Sequence, residues 1–335
     1  MDDYDDLLKV SEEIESKISD SSYAEVEKVT PKLVKEAVSH IKSNKSDPVC
    51  DFTSDCIKNA PDKLFVHLSE VIKSFLIHSH VSIILLLATL VPLIKDKMGS
   101  LCSSKNYRSI AISSLFLKIV DWIIILLYGK SLQLDDLQFA YQPSCSTNMC
   151  TWLVVETIDY FLRNGGEVFA CSMDMTKAFD LVVHSKLLLD ASMPALVVRL
   201  LLVVYLTQFA NVRWDGKLSA VFSLRNGCKQ GAVLSEIVYC VYVNDLFKEL
   251  RRNRSGCWVG QTFLGIMGYS DDNFLLAPSR EALQSMLTIC EKYTVSHGLK
   301  FSTDPNPKKS KTKCLAFLQK ERELRPVVLC GDPLP

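Results

Sequence analysis

The feature that most restricts the fold of this chain is a pair of adjacent carboxylates between two runs of strand-forming residues. Residues 263–269 and 274–277 are rich in aromatic and aliphatic side chains, and Ser270, Asp271 and Asp272 interrupt them. The pattern predicts a β-hairpin with both acids at its tip. Adjacent carboxylates repel each other unless a cation faces them, and Mg²⁺ binds carboxylate oxygens while keeping sites for water and phosphate. The alternative is an ordinary surface turn, because Asp favours turns.

The composition allows a large core and a polyanionic partner. The chain has 335 residues, of which 48% are hydrophobic, enough for one compound domain or two smaller ones. Its formal net charge is zero, but residues 1–30 carry ten acids against three lysines. The remaining residues therefore hold 35 Lys and Arg against 28 Asp and Glu. This moderately basic body permits a nucleic acid partner without requiring one.

The cysteine and apolar patterns predict a soluble intracellular protein, in the nucleus, the cytoplasm or both. The twelve cysteines include no Cys-x-x-Cys pair, and the six histidines lack zinc-finger spacing, so neither a zinc site nor a disulfide framework is indicated. The acidic N-terminus lacks the apolar segment of a signal peptide. The apolar run at 81–94 is too short to cross a bilayer and predicts a buried element, so we expect no membrane partner.

The order of predicted elements favours an α+β fold. We expect helices at 31–43, 61–78, 115–130, 235–251 and 281–297, a hairpin at 211–224, and strands at 169–174 and 314–318. Helices and strands mix without a regular βαβ alternation, which argues against a doubly wound sheet.

Two further segments carry residues suited to a polyphosphate ligand. Asp174 ends the predicted strand at 169–174 and could supply a third carboxylate, or it could cap the helix that follows. Further along, Gly227, Gln230 and Gly231 precede a predicted helix, where glycines let the backbone approach a ligand and the amide can bind it. An ordinary turn with Ser235 as helix N-cap is the alternative.

In this order, the segments resemble the palm motifs of reverse transcriptases from non-LTR, LINE-type retrotransposons. The shared patterns are Lys-Ala-Phe-Asp at 177–180, Gln-Gly before Leu-Ser at 230–235, Asn-Asp-Leu at 244–246 and Tyr-x-Asp-Asp at 269–272. Upstream, the segments at 90–95, 106–110 and 138–147 also resemble the family. The similarity covers roughly residues 31–320, and its specificity comes from the ordered set of motifs.

The resemblance implies a right-hand polymerase fold with fingers and an antiparallel palm sheet covered by helices. We expect an acidic N-terminal segment at 1–30, a helical extension at 31–80, fingers at 81–168 and a palm at 169–335 with finger elements near 185–225 interleaved. The family continues into a thumb, which we expect to be absent or truncated here.

The same resemblance implies an RNA-directed DNA polymerase that takes an RNA template, a DNA primer and dNTPs. Its cofactor would be two Mg²⁺ ions, with Mn²⁺ as the alternative, held by Asp174, Asp271, Asp272 and the carbonyl of Met175. The implied nucleotide-binding residues are Lys95, Arg108, Phe179, Gln230, Gly231 and Tyr269. Phe179 matches the steric gate that rejects a 2′-hydroxyl, and Lys311 matches a candidate general acid for pyrophosphate.

Several positions depart from the family pattern without removing a catalytic carboxylate, and the expected lack of a thumb keeps a second hypothesis open. Ser270 replaces the usual Ala, Ser109 and Glu236 each replace a Pro, and the segment at 184–194 is short. The alternative is a catalytically inactive or truncated retroelement remnant that acts at most as an RNA- or protein-binding module. A nucleotide cyclase is disfavoured because it offers no reason for the Gln-Gly motif. The sequence leaves the oligomeric state open.

Overall fold

The computed structural model describes residues 2–50, 52–176, 178–182, 193–224, 227–228, 231–304, 306, 310–320 and 322–334. Gln230 and most of the short segment predicted at 184–194 therefore lie outside the described residues. The chain forms two compact units. The first comprises Met1–Gln133 and Val183–Val238, and the second comprises Leu134–Val182 and Tyr239–Pro335.

The helices in chain order are α1 (Asp2–Lys17), α2 (Pro31–Ser39), α3 (Ser54–Lys58), α4 (Asp62–His78), α5 (Ile83–Leu86), α6 (Leu115–Tyr128), α7 (Thr147–Arg163), α8 (Ala195–Leu206), α9 (Val233–Tyr242), α10 (Asn244–Asn253) and α11 (Arg280–Ser296). Shorter 3₁₀ helices span Asp20–Lys28, Ser104–Asn106 and Ala178–Leu181.

The strands in chain order are β1 (Leu87–Ile94), β2 (Tyr107–Ile112), β3 (Val168–Met173), β4 (Gln208–Trp214), β5 (Lys217–Leu218), β6 (Phe222–Leu224), β7 (Trp258–Val259), β8 (Thr262–Phe263), β9 (Ile266–Tyr269), β10 (Asp272–Ala277), β11 (Lys313–Phe317), β12 (Val328–Leu329) and β13 (Asp332–Pro333).

The first unit combines packed helices with a mixed sheet. Helix α2 contacts α4 and α6, and α8 contacts α1 and α4. Thr30 accepts a hydrogen bond from the Leu33 N–H, and Pro31 is the first helical residue, so α2 begins where the sequence predicts. Its sheet has the order β2-β1-β4-β5, with β6 also on β4. The apolar run at 81–94 is only partly buried, because Ile83 and Ile84 of α5 are exposed.

The second unit contains an antiparallel sheet in the order β11-β3-β10-β9, covered by helices α7 and α11. Helix α11 turns the buried side chains of Leu283, Met286 and Leu287 toward this core. The predicted helix at 235–251 is two helices, because the chain leaves helical geometry at Val243. Together the irregular order of helices and the antiparallel sheet confirm the α+β class.

Two simple properties of the described chain complete the fold. All twelve cysteines are free thiols. Among the described residues, no helix is long and apolar enough to cross a membrane.

Candidate active site

The acidic hairpin is present and has the shortest kind of turn. Tyr269 and Asp272 form the closing pair of β9 and β10, so Ser270 and Asp271 are the two turn residues. Ser270 has a φ of +63°, the sign that two-residue hairpins require at their first turn position. Both acids are therefore carried at the end of the sheet by a well-defined turn.

Asp174 lies at the same end of this sheet. Met173 pairs with Asn273 in the last pair of β3 and β10, so Asp174 and Asp272 are the next residues on adjoining strands. The backbone of Asp174 is held on both sides: its N–H donates to Thr312 Oγ1 at 3.3 Å, and its carbonyl accepts from the Ser302 N–H at 2.8 Å. The 3₁₀ helix that follows begins only at Ala178, so Asp174 does not cap it directly.

A lysine faces the carboxylate of Asp174. Lys311 Nζ lies 3.7 Å from Asp174 Oδ2, and the two side chains are 68% and 36% exposed.

Among the residues that the structure describes, no group of three or more His, Cys, Asp or Glu is arranged to hold a metal ion. The three acids thus share one sheet end without forming a preassembled cluster. Their partly exposed carboxylate oxygens are nevertheless the hard ligands that Mg²⁺ prefers, so the donor set fits such an ion.

A buried tyrosine contacts two of the predicted site residues. The Tyr239 hydroxyl donates to Met175 Sδ at 3.3 Å, and the Phe179 ring lies 4.7 Å from the Tyr239 ring. Burial raises the pKa of Tyr239, and the nearby charge of Asp271 raises it further. Tyr239 therefore contacts both Met175 and Phe179 and is influenced by the charge of Asp271. Tyr239 lies within an apolar helical run, so no sequence pattern marks it as a site residue.

Met175 is buried, and its carbonyl takes no part in the hydrogen bonds that join this segment to the segment around Phe301. Met175 forms an isolated antiparallel bridge with Phe301. The two hydrogen bonds of this bridge are made by the flanking residues. The Thr176 N–H donates to the Lys300 carbonyl, and the Ser302 N–H donates to the Asp174 carbonyl. This pairing leaves the Met175 carbonyl out of both bonds.

Tyr269 borders a cavity of about 300 Å³ beside the acids. One wall is the sheet and the other is α7, and the lining residues are Thr147, Cys150, Thr151, Val154, Ser172, Met267, Tyr269, Asp272, Asn273 and Phe274. The cavity places open space directly next to the hairpin tip, where a substrate group could lie.

In the first unit, Lys95 and Arg108 lie at the same end of the β1–β2 pair. Arg108 pairs with Leu93, and the Lys95 N–H donates to the Asn106 carbonyl at 2.8 Å. The Asn106 side chain accepts from the Asp96 N–H and donates to the Asp96 carbonyl, which closes the connecting loop. Both cations are exposed. The Asn-Tyr-Arg motif thus includes a loop-forming amide as well as a charge.

Gly231 occupies a position that excludes a side chain. Its φ is +104°, and a Cβ there would approach the Ala111 carbonyl to 3.1 Å. The backbone of this turn therefore lies directly against β2. Ser235 is inside α9 rather than at its N-cap, so the ordinary-turn alternative with Ser235 as cap is wrong.

The sheet with its acidic hairpin defines a polymerase palm, and comparison with known proteins agrees. Residues 94–323 match the family model described as "Reverse transcriptase (RNA-dependent DNA polymerase)". The chain belongs to the reverse transcriptase family.

The chain is also similar to three Pol polyproteins of R2 retrotransposable elements. The Drosophila melanogaster protein of element R2DM is 25% identical over 209 residues, which cover 60% of this chain and 19% of that protein. The R2 proteins of Bradysia coprophila and Nasonia vitripennis are 25% and 26% identical over 226 residues, or 65% of this chain. The chain spans only about a fifth to a quarter of these relatives.

These matches confirm a non-LTR reverse transcriptase domain and hence the nucleotidyltransferase class expected from the sequence. Members of this family copy an RNA template by extending a nucleic acid primer, and they generally use divalent metal ions. The matches favour this reading over the alternative of a non-catalytic binding module.

Proposed function

We propose that this chain is the catalytic core of an RNA-directed DNA polymerase that transfers nucleotides from dNTPs to a DNA primer 3′-hydroxyl on an RNA template. One observation carries the proposal. Asp271 lies in the two-residue turn of the hairpin, Asp272 closes that turn opposite Tyr269, and Asp174 directly follows the adjoining strand. Such transfer depends on positioning and charge stabilisation more than on covalent chemistry, which suits a site built from fixed carboxylates.

The donor set supports a two-metal site. Asp174, Asp271, Asp272 and the Met175 carbonyl would hold two Mg²⁺ ions, with Mn²⁺ as a substitute. When bound, such ions lower the pKa of the primer hydroxyl and neutralise the triphosphate charge. The protein itself positions these ligands: a hydrogen bond holds the Asp174 backbone, and Asp271 lies in the tight hairpin turn.

Lys311 is proposed as the proton donor to the leaving pyrophosphate. Its neighbours Ser310 and Thr312 are buried, whereas its own side chain is exposed and reaches Asp174. An ammonium group there offers a proton at the end of the sheet that carries the acids, and its Nζ–H bond would break as the pyrophosphate oxygen takes the proton.

Further residues would bind the nucleotide. Lys95 and Arg108 would contact the triphosphate, Arg as a planar fork and Lys as a point charge. The ring of Phe179, which packs against Tyr239, would reject a 2′-hydroxyl. Tyr269 would contact the nucleotide from the cavity wall. Gly231 would give the backbone close access to the nucleotide, with Gln230 supplying a hydrogen bond.

The two compact units correspond in this proposal to fingers and palm. The β1–β2 pair with its exposed cations belongs to the fingers, and the antiparallel sheet with the acids belongs to the palm. Twelve free thiols suit a reducing compartment, so we place the activity inside the cell, in the cytoplasm or nucleus.

Primer extension tests the proposal. The chain is incubated with an RNA template, a labelled DNA primer, dNTPs and Mg²⁺, beside the matched variant Asp271→Asn. Extension by the wild-type chain and its loss in the variant are expected, because the amide removes one anionic ligand at nearly constant size. Equal signals from both proteins would overturn the polymerase and favour a binding remnant.

A further inference from the structure

Gln138 binds the turn of the acidic hairpin through a single side chain. The Ser270 N–H donates to Gln138 Oε1 at 2.8 Å, and Gln138 Nε2 donates to the Ser270 carbonyl at 3.3 Å. Gln138 Oε1 also accepts from the Ala140 N–H. The side chain is 1% exposed, so water cannot replace these bonds. One amide therefore fixes both backbone polar groups of the residue that precedes Asp271.

The backbone around Gln138 is joined to the same hairpin. The Phe139 N–H donates to the Gly268 carbonyl, and the Gly268 N–H donates to the Leu137 carbonyl, each at 2.8 Å. Gln138 and Gly268 thus form a parallel bridge beside β9. This bridge fixes which residue of β9 Gln138 pairs with, and it thereby places the Gln138 amide beside the backbone of Ser270.

A partly buried ion pair anchors the loop that carries Gln138. The guanidinium of Arg251 makes two hydrogen bonds to the Asp135 carboxylate, at 2.6 and 2.7 Å. The Asp135 N–H donates to Asn244 Oδ1 at 2.7 Å, and the Asp135 carbonyl accepts from the Gln138 N–H. Helix α10 therefore holds the start of the loop, which gives the Asn-Asp-Leu motif a structural role.

Gly268 leaves no room for the Gln138 amide to move away. A Cβ at Gly268 would lie 2.7 Å from Asn273 Oδ1, 2.7 Å from Phe247 Cζ and 3.1 Å from Gln138 Nε2. The amide is thus packed directly against backbone, with buried side chains on either side. Its orientation is set by packing as well as by hydrogen bonds.

We propose that Gln138 is a positioning residue that fixes the Ser270–Asp271 turn and so the direction in which Asp271 presents its carboxylate. The inference rests on the proposed function and concerns the geometry of that same site. The buried Gln138 side chain bonds to the backbone of the turn. Its effect comes through the turn, where a displacement of about 1 Å can cost about 10²-fold in rate.

The main test compares Gln138→Met with Gln142→Met. Methionine has a similar length and lacks both the donor and the acceptor. Gln142 lies in the same loop and donates to the backbone carbonyls of Asp135 and Gln138. We expect Gln138→Met to lower kcat for single-nucleotide addition by about 10²-fold and to raise the Mg²⁺ concentration at half-maximal rate, with KM for template–primer unchanged. Gln142→Met removes contacts to the loop backbone but none to the turn, and should lower kcat much less than Gln138→Met.

Equal kinetics in the two variants, or a Gln138→Met loss that appears only in KM, would overturn the inference. Should Gln138→Met not fold, Gln138→Glu decides at a pH where the new carboxyl is ionised: it then keeps the acceptor for the Ser270 N–H and loses the donor to the carbonyl. A kcat below wild type at unchanged template–primer affinity supports the positioning role, and an unchanged kcat refutes it.

Amide hydrogen exchange provides a readout that does not need activity. The Ser270 N–H should be protected in the wild type and in Gln138→Glu, and should exchange faster in Gln138→Met. If the wild-type chain does not extend primers, the proposed function fails while this measurement still tests the contact. An active wild type with unaltered Ser270 exchange in Gln138→Met refutes only the role of Gln138.

Discussion

Lys311 Nζ lies 3.7 Å from Asp174 Oδ2, across the β3–β11 pair at the end that carries the acidic hairpin. Lys313 pairs with Ser172 in the antiparallel β3–β11 pair. The same register, continued by two residues, places Lys311 opposite Asp174. The ammonium compensates one carboxylate where three acids share a sheet end. In the proposed mechanism, Lys311 would be a counter-ion of Asp174 before substrates bind and a proton donor afterwards.

Replacing Lys311 tests the second role. Lys311→Met should lower the single-turnover rate of nucleotide addition by about 10²-fold, the lower end of the contribution of a general acid. Lys313→Met removes a neighbouring exposed lysine of the same strand and should retain most of the rate. Rapid-quench primer extension measures both variants. A similar loss in both would mean that only the positive charge of this strand matters.

The Asp135–Arg251 pair should be important for stability as well as for the Gln138 loop. Asp135 is 4% exposed and Arg251 is 37% exposed, so Arg251→Leu leaves a carboxylate buried without its partner. We expect a loss of about 3–5 kcal/mol in the free energy of unfolding. Lys248→Leu breaks the exposed Lys248–Asp245 pair on the same helix and should cost less than about 1 kcal/mol. Urea unfolding of both variants gives the comparison, and equal losses would contradict the burial argument.

Gly268 should not tolerate a methyl group. Gly268→Ala places a Cβ 2.7 Å from Asn273 Oδ1 and from Phe247 Cζ, and we expect destabilisation of about 1–3 kcal/mol from this overpacking. Phe247→Leu shortens the side chain that meets the new methyl. In the double variant the loss should therefore be smaller than the sum of the two single losses. Strictly additive losses in thermal unfolding would show that Phe247 does not meet the Cβ.

The hairpin and Asp174 could be predicted because each depends on a short local pattern. The alternation around Tyr269 and Asp272 and the apolar strand before Asp174 specify strand ends directly. Gln138 could be recognised only as a motif position. Its contact with Ser270 joins residues 132 apart in the chain and has no period in the sequence.

Other differences from the sequence prediction have identifiable causes. The helix predicted at 235–251 divides before Asn244, whose side chain binds the Asp135 N–H. The strand predicted at 314–318 is followed by β12 and β13, each of two residues and too short to show alternation. Cys330 and Gly331 both have positive φ in the turn between them. Sequence patterns therefore do not predict the features that depend on tertiary contacts, or strands of only two residues.

Glu25 gives the first unit a pH-dependent stabilisation. A hydrogen bond from Lys28, followed by one from the Tyr128 hydroxyl, lowers the pKa of Glu25 from its ordinary 4.5. A lowered carboxyl pKa contributes stability that is present above pH 4.5 and is lost as the pH falls through the lowered value. Tyr128→Phe should cost about 1 kcal/mol at pH 7 and less at pH 3. Thermal unfolding at both pH values, with Tyr23→Phe as control, measures the difference. A loss that is independent of pH would contradict the role of the Glu25 carboxylate.

The free thiols should differ sharply in reactivity. A hydrogen bond with Thr53 lowers the pKa of the exposed Cys56 thiol, whereas burial raises the pKa of Cys228 to about 12. Because the thiolate is the nucleophile, iodoacetamide at pH 8 should alkylate Cys56 early and leave Cys228 unmodified in the folded chain. Thr53→Val removes the hydroxyl at nearly constant shape and should slow alkylation of Cys56 while leaving Cys102 unaffected. Peptide mass spectrometry over time measures each site, and early modification of Cys228 would show that this part of the first unit opens readily.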